Sequence, residues 1–325
     1  MKGKAEQFFS SKFGVVVGAT TATLLWGSAF PFVKIGYGQL DIHRDEVFEQ
    51  ILFAGYRFLL AAVLIMVMMK LFRIKEVRSL QNVRTVIAVS IFQTGLQYLF
   101  FYIGLSASSG MNGSIIAGTT SFFQMLLAHF MYKNERLDRS KYAGLTLGMA
   151  GIAMVSLSAG SYMFSFGYGE MLLLLAMFCG ALGNILSREG AQRMDVFYLT
   201  SRQMLFGSLA LIGIGASQTG LLPFTFTLQS AAVLLYLAML SAAGFILWNF
   251  IMKYNQVGKV SMYLFLIPVF GVILSNVLLS ETLRWITLVS LALVAAGIVM
   301  VNGERRPTRK PQRGPLIEDR HKSGL

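Results

Sequence analysis

The sequence predicts an all-α membrane protein with ten transmembrane helices arranged as two inverted five-helix repeats. Three observations predict it: a composition suited to lipid, ten apolar stretches of spanning length joined by loops that alternate in basic charge, and a motif that returns in the second half on the opposite side. Of the 325 residues, 55% are hydrophobic and only 13% charged, and the mean hydropathy is +0.63. Ordinary soluble chains carry about a quarter charged residues, so most of this chain must meet lipid rather than water.

A net charge of +13 raises the question of a nucleic-acid partner. Such a partner needs basic residues gathered on one soluble face. Here they sit in short runs between apolar stretches and in the C-terminal segment, so no nucleic acid is expected. The single Cys179 lies in an apolar stretch and reads as a buried, inert thiol; an intramolecular disulfide is excluded. Lys2, Lys4 and Lys12 precede the first apolar stretch as a signal peptide's basic region would, but that stretch is too long and lacks a small-residue cleavage pattern. It reads as the first span.

A helix crosses a hydrocarbon core of about 30 Å with about 20 residues. The first two stretches of that length cover 13–35 and 51–72, and Lys70, Arg73, Lys75, Arg78 and Arg84 follow them. The next two, 84–104 and 112–132, lead to Lys133, Arg136, Arg139 and Lys141. Stretches 140–158 and 169–187 precede Arg188, Arg193 and Arg202; 196–216 and 229–250 precede Lys253 and Lys259. The last pair, 260–279 and 284–301, leads to a segment with seven more basic residues. These runs are apolar on every side, unlike the alternating strands of a membrane barrel. With the N-terminal lysines, 24 of 28 basic residues fall on one side, leaving Lys34, Arg44, Arg57 and Arg284 on the other. Lys and Arg in short loops stay in the cytoplasm, which places both termini there, in a multi-pass protein of the cell membrane. An odd number of spans would scramble the alternation.

At an offset of 146 the halves resemble each other. Glu135-Arg136-Leu137 meets Glu281-Thr282-Leu283, and the run from Gly151 to Val155 meets the run from Gly297 to Val301. Five spans separate the copies, and five is odd, so equivalent loops face opposite sides. The charges agree, since the Glu135 loop is rich in basic residues and the Glu281 loop has only Arg284. Two similar halves packed head to tail have two near-equivalent, opposite-facing arrangements. The expected domains are a first repeat over 1–158, a second, inverted repeat over 159–302, and a disordered basic cytoplasmic tail over 303–325 with prolines at 307, 311 and 315.

The chain resembles the drug/metabolite transporter superfamily, specifically its ten-helix EamA-type members. The resemblance runs through Leu25-Trp26-Gly27-Ser28 with Lys34, Tyr56-Arg57-Phe58, the Glu135 motif with Gly144 and Gly151, then Pro268, Leu279-Ser280-Glu281-Thr282-Leu283 and Gly297. One departure is Phe122, where the family often has a proline and where Pro268 stands in the second half; helix four should be straighter for it. The resemblance implies an alternating-access exporter or exchanger of amino acids, metabolites or drug-like solutes.

Within the spans, no acidic or basic residue sits at mid-depth. Lys34, Arg57 and Glu170 read as lying near external ends, where long side chains reach headgroups; Lys34 and Arg57 are also candidates for a gate or vestibule. The absence of a central carboxylate favours facilitated diffusion or exchange over proton antiport. His129 reads as a helix-end hydrogen-bonding residue. Uncharged polar and aromatic residues are therefore the candidates for a solute pocket. Gln93 and Gln97 share a helix face, as do Thr120 and Gln124. Trp26, Tyr98, Asn184, Trp248, Asn249 and Tyr263 complete the set. The competing role for each is helix–helix hydrogen bonding, or interfacial anchoring for tryptophan. Gly14-x-x-x-Gly18, Gly144-x-x-x-Gly148 and Gly180-x-x-Gly183 allow close helix contact, within a monomer or across a homodimer.

A small-molecule solute and the bilayer are thus the expected partners. No cofactor or metal is implied, since His43, His129 and His321 are far apart. An intramembrane enzyme acting on a lipid would need clustered acids, histidines or a nucleophile motif, none of which is visible. A solute channel remains as the other alternative.

Overall fold

A computed structural model of the chain describes residues 3–74, 80–108, 110–135, 137–158, 167–279 and 285–302. Lys2, Lys75, Arg78, Arg136, the Ser280–Arg284 segment and the tail from 303 lie outside the described residues. All described secondary structure is helical. A short helix α1 (Lys4–Ser10) precedes α2 (Lys12–Leu40) and α3 (Val47–Leu71). One rod then joins α4 (Leu80–Val89), a π-helical segment (Ser90–Leu96) and α5 (Gln97–Ser106). There follow α6 (Gly110–Met131), α7 (Arg139–Ser158), α8 (Tyr168–Arg193), α9 (Val196–Thr219) and α10 (Leu228–Tyr254). Last come α11 (Val257–Ser261), which passes through a 3-10 segment (Met262–Phe265) into α12 (Leu266–Leu279), and α13 (Trp285–Asn302).

Among the described residues, six helices are long and apolar enough to cross a membrane: Lys12–Leu40, Val47–Leu71, Gln81–Ser106, Tyr168–Arg193, Leu228–Tyr254 and Val257–Leu278. Local chemistry sets their ends. Ser11 takes an extended conformation that stops α1, and its Oγ accepts the Gly14 amide at 2.9 Å to start α2. Helix α2 continues through Pro31 to Leu40, where Asp41 turns left-handed at φ 56° and ends it. Asp195 and Thr227 cap α9 and α10 through their side-chain oxygens. Without a proline α6 runs unbroken, whereas the segment holding Pro268 carries the 3-10 turn just before it.

The helices pack in a few extended pairs. Helix α3 lies along α9, and α7 along α13; α2 sits between α10 and α12, while α8 sits between α5 and α6. Small residues permit the closest approaches. A methyl group on Gly144 would stand 2.9 Å from the Gly297 carbonyl oxygen, and one on Gly297 would stand 2.8 Å from that of Gly144. Only glycine lets α7 and α13 meet at this distance. All three glycine motifs are used inside the chain: Gly18 faces Ile251, Gly148 faces Phe265, and Gly180 and Gly183 receive Gln97 and Gln93. Apolar side chains fill the space between pairs, with Trp248, Met125, Ile251 and Phe265 in one cluster and Phe58, Ile65, Leu199 and Met204 in another.

Candidate functional site

Hydrogen bonds that cross between helices pick out the interior. Gln93 Nε2 donates to Asn184 Oδ1 at 2.6 Å, Asn184 Nδ2 to Gln124 Oε1 at 2.7 Å, and Gln124 Nε2 to Ser261 Oγ at 2.8 Å. Ser261 closes the chain by donating to the Val257 carbonyl, and its own carbonyl accepts from Ser121 Oγ. Four helical segments are thereby stitched together by side chains that are all buried. The π-helical segment makes this fit: it carries Gln93 on a widened turn, and Gly183 on α8 leaves room for its backbone. A second chain runs from Ser187 Oγ to Asn249 Oδ1 at 2.8 Å and from Asn249 Nδ2 to Thr200 Oγ1 at 2.9 Å. A third is the pair Thr94 Oγ1 to Gln203 Oε1 at 2.6 Å.

Aromatic rings form the other interior feature. Trp248 packs on Trp26 with centroids 5.6 Å apart, Trp26 on Phe245 at 5.1 Å, and Phe245 on Phe58 at 6.3 Å. Phe58 then meets Tyr98 at 4.5 Å, and Tyr98 meets Tyr102 at 6.4 Å. This row links α10, α2, α3 and α5. Both of these indole Nε1 atoms are buried without a hydrogen-bond partner, as are Gln93 Oε1 and Gln203 Nε2. Buried polar atoms left this way are rare, because each forgoes the hydrogen bonds that water would supply.

Arg57 stands beside this row, which corrects its sequence-based placement. It does not reach out to headgroups; it is buried at 4% exposure, with Nε donating to Ser241 Oγ at 2.7 Å. The reason is the helix start. Helix α3 begins at Val47, so Arg57 lies about 15 Å along its axis at 1.5 Å per residue. The guanidinium lies 5.1 Å from the Phe58 centroid and within electrostatic reach of Tyr37, Tyr98 and Tyr102. No carboxylate among the described residues pairs with it. Arg57 was not expected at this depth, and Tyr37, Tyr102 and Ser241 were not anticipated at all.

The remaining candidates divide by exposure. Gln93, Gln124, Asn184, Trp248, Asn249 and Tyr263 are buried, whereas Trp26, Gln97, Tyr98 and Thr120 are partly open. Gln97 packs on Gly180, and Thr120 Oγ1 bonds the Ala117 carbonyl and Met177 Sδ. Lys34 is exposed on α2, outside the row. Glu170 caps its own helix, accepting the Gly167 amide at 2.8 Å and the Ser108 hydroxyl. His129 Nδ1 accepts the Leu137 amide at the end of α6. Among the described residues no three His, Cys, Asp or Glu side chains gather to hold a metal.

An all-α, multi-pass arrangement of this kind, with a polar and aromatic interior, defines a membrane transporter when set beside its relatives. The chain belongs to the EamA-like transporter family, which matches residues 13–157 and 167–303. An uncharacterized transporter of Archaeoglobus fulgidus is 28% identical over 288 residues, covering 87% of this chain and 95% of that one. A protein of Salmonella typhimurium named as a probable amino-acid metabolite efflux pump is 27% identical, covering 86% of this chain and 92% of its own. A solved structure described only as the crystal structure of a protein shares the fold with a TM-score of 0.73 at 17% identity, over 90% of this chain and 99% of that one.

Proposed function

We propose that the protein is a secondary carrier of ten spans in two inverted repeats, residues 1–158 and 159–302. It works by alternating access in the cell membrane, with both termini and the 303–325 tail in the cytoplasm. The observation that carries this reading is the pattern of helix pairing. Exchanging α2–α7 for α8–α13 maps α3·α9 and α7·α13 onto themselves, α2·α10 onto α8·α5, and α2·α12 onto α8·α6. Halves related in this way can trade conformations, which opens the site to each side in turn. The family's two separate matched stretches support the same division.

The solute is a small metabolite, amino acid or drug-like compound that binds against the aromatic row between Trp26 and Tyr98. Gln97 and Thr120 are partly open, the buried chain of Gln93, Asn184 and Gln124 and the second chain through Asn249 hold the walls, Trp248 ends the row, and Tyr263 packs in the same apolar cluster as Trp248. Arg57 favours a carboxylate or another acceptor-rich group on the solute, because a desolvated cation without a protein carboxylate gains most from an anionic partner. Amino acids fit this requirement and agree with the name of the Salmonella relative, and export or exchange is the expected direction. No catalytic step is assigned.

Counterflow in proteoliposomes tests the proposal. Vesicles preloaded with unlabelled amino acids or other carboxylate metabolites should accumulate external label saturably. Arg57→Lys should retain part of this, and Arg57→Gln should lose about tenfold or more, the value of one charge-assisted hydrogen bond. Uptake that neither saturates nor responds to internal solute would instead mark a channel.

A further inference from the structure

Away from the proposed solute path, the cytoplasmic end of α3 carries a cavity of about 280 Å³ lined by Met66, Met69, Lys70, Arg73, Ile74 and Arg202. Among the described residues that line it, Lys70, Arg73 and Arg202 are cations and none is an acid. We infer that this cavity is a binding site for a phosphate group, either the headgroup of an anionic lipid or a free phosphate-bearing anion.

Backbone geometry supports it. Helix α3 ends in the hydrogen-bond pattern in which the Ile74 amide reaches the Met69 carbonyl at 2.9 Å and the Arg73 amide reaches that of Lys70 at 3.3 Å. That pattern needs a left-handed residue between them, and glycine is the usual occupant. Here Arg73 takes it, at φ 52°. A residue that breaks a local rule without local benefit points to a requirement elsewhere. What Arg73 adds that glycine would not is a guanidinium in the cavity lining, beside Lys70. Arg202 approaches from α9 and is held by Met66 Sδ at 3.5 Å and by the Tyr198 ring. Guanidinium groups suit phosphate oxygens because their donors form a planar fork.

The surroundings favour a lipid as the source. Leu71 and Phe72, between the exposed cations Lys70 and Arg73, are 73% and 68% exposed, as side chains facing acyl chains would be. Met66, Met69 and Ile74 give the cavity an apolar floor suited to the glycerol region. Basic pockets between helix ends are where anionic headgroups are held.

Thermal unfolding of the full-length protein in a neutral detergent tests the inference, with added phosphatidylglycerol, phosphatidylcholine or inorganic phosphate. Phosphatidylglycerol should raise the Tm more than phosphatidylcholine does. Each of Arg73→Gly and Lys70→Gln should weaken the apparent affinity for it by about fivefold, and the double variant should abolish the response. Arg73→Gly separates the two roles of that residue: without lipid its Tm should equal or exceed that of the parent, since glycine suits the backbone. Lys259→Gln, a cation outside the cavity, should keep the full response. If inorganic phosphate alone reproduces the rise and the cavity variants lose it, the site stands with the free anion as its occupant. An equal response to both lipids with none to phosphate, or a phosphatidylglycerol response that Arg73→Gly and Lys70→Gln retain or that Lys259→Gln loses equally, would overturn the inference.

Discussion

Removing the Glu135 carboxylate should loosen the junction between the two halves. Glu135 is 3% exposed, and its Oε1 and Oε2 accept the Val257 and Gly258 amides at 2.6 and 3.2 Å. These amides open α11, so a loop of the first half caps a helix of the second. Lys141 Nζ stands 3.7 Å from the same carboxylate, and a methyl group on Gly258 would lie 2.8 Å from that ammonium. Glu135→Ala strands two amide donors and removes the carboxylate that stands beside Lys141. Breaking a buried pair from one side costs about 3–5 kcal/mol. At the shallow Tm dependence of larger chains, that corresponds to a fall on the order of 5–10 °C. Glu135→Gln keeps one acceptor but no charge, and should fall about half as far. The assay is thermal unfolding in detergent, read by fluorescence and by loss of the monodisperse peak. If Glu135→Ala melts within about 1 °C of the parent, the carboxylate does not join the halves.

Other substitutions probe the packing and the interior chains. Gly144→Ala drives a methyl group against the Gly297 carbonyl and should lower both membrane yield and Tm, whereas Gly213→Ala, with nothing within 4 Å, should leave Tm unchanged or raise it by helix propensity worth about 1 kcal/mol. Asn184→Leu leaves Gln93 and Gln124 without their shared partner; it should cost about 1–2 kcal/mol in unfolding and slow counterflow more than Gln192→Leu, a polar change outside the chain. Gln124→Leu should impair transport without lowering membrane expression; unchanged uptake removes it from the proposed site. Trp26→Phe keeps an aromatic ring edge-to-face with Phe245 but deletes a donor that no protein acceptor engages, so its effect should appear in solute affinity and not in Tm.

Much of this was legible in the sequence because amide side chains are costly in lipid. Gln93, Gln124, Asn184 and Asn249 stand out from apolar neighbours, and each lies in an interhelical hydrogen bond. Ser187, Thr200 and Ser261 belong to the same chains but gave no signal. A serine or threonine in a helix can bond its own preceding carbonyl, as Thr200 does to Val196 and Ser261 to Val257, so its type does not reveal a cross-helix partner. Arg57's depth was missed because the apolar stretch starts at 51, four residues after the helix itself begins at Val47. Gln50 is in fact buried inside α3, with its amide donating to the His43 and Arg44 carbonyls of the preceding loop. The π-helical segment was invisible too, because it is set by how Gln93 meets Gly183 on another helix rather than by local propensity.

The proposed inverted relation of the two halves is tested directly by the side on which equivalent residues emerge. Arg139 and Trp285 open α7 and α13, are separated by the 146-residue repeat offset, and are both exposed. In a Cys179→Ala background, Arg139→Cys should react with a membrane-impermeant maleimide only after the cells are permeabilised, while Trp285→Cys should react in intact cells. Labelling of both from the same side would contradict two antiparallel halves, and with them the carrier mechanism built on their exchange.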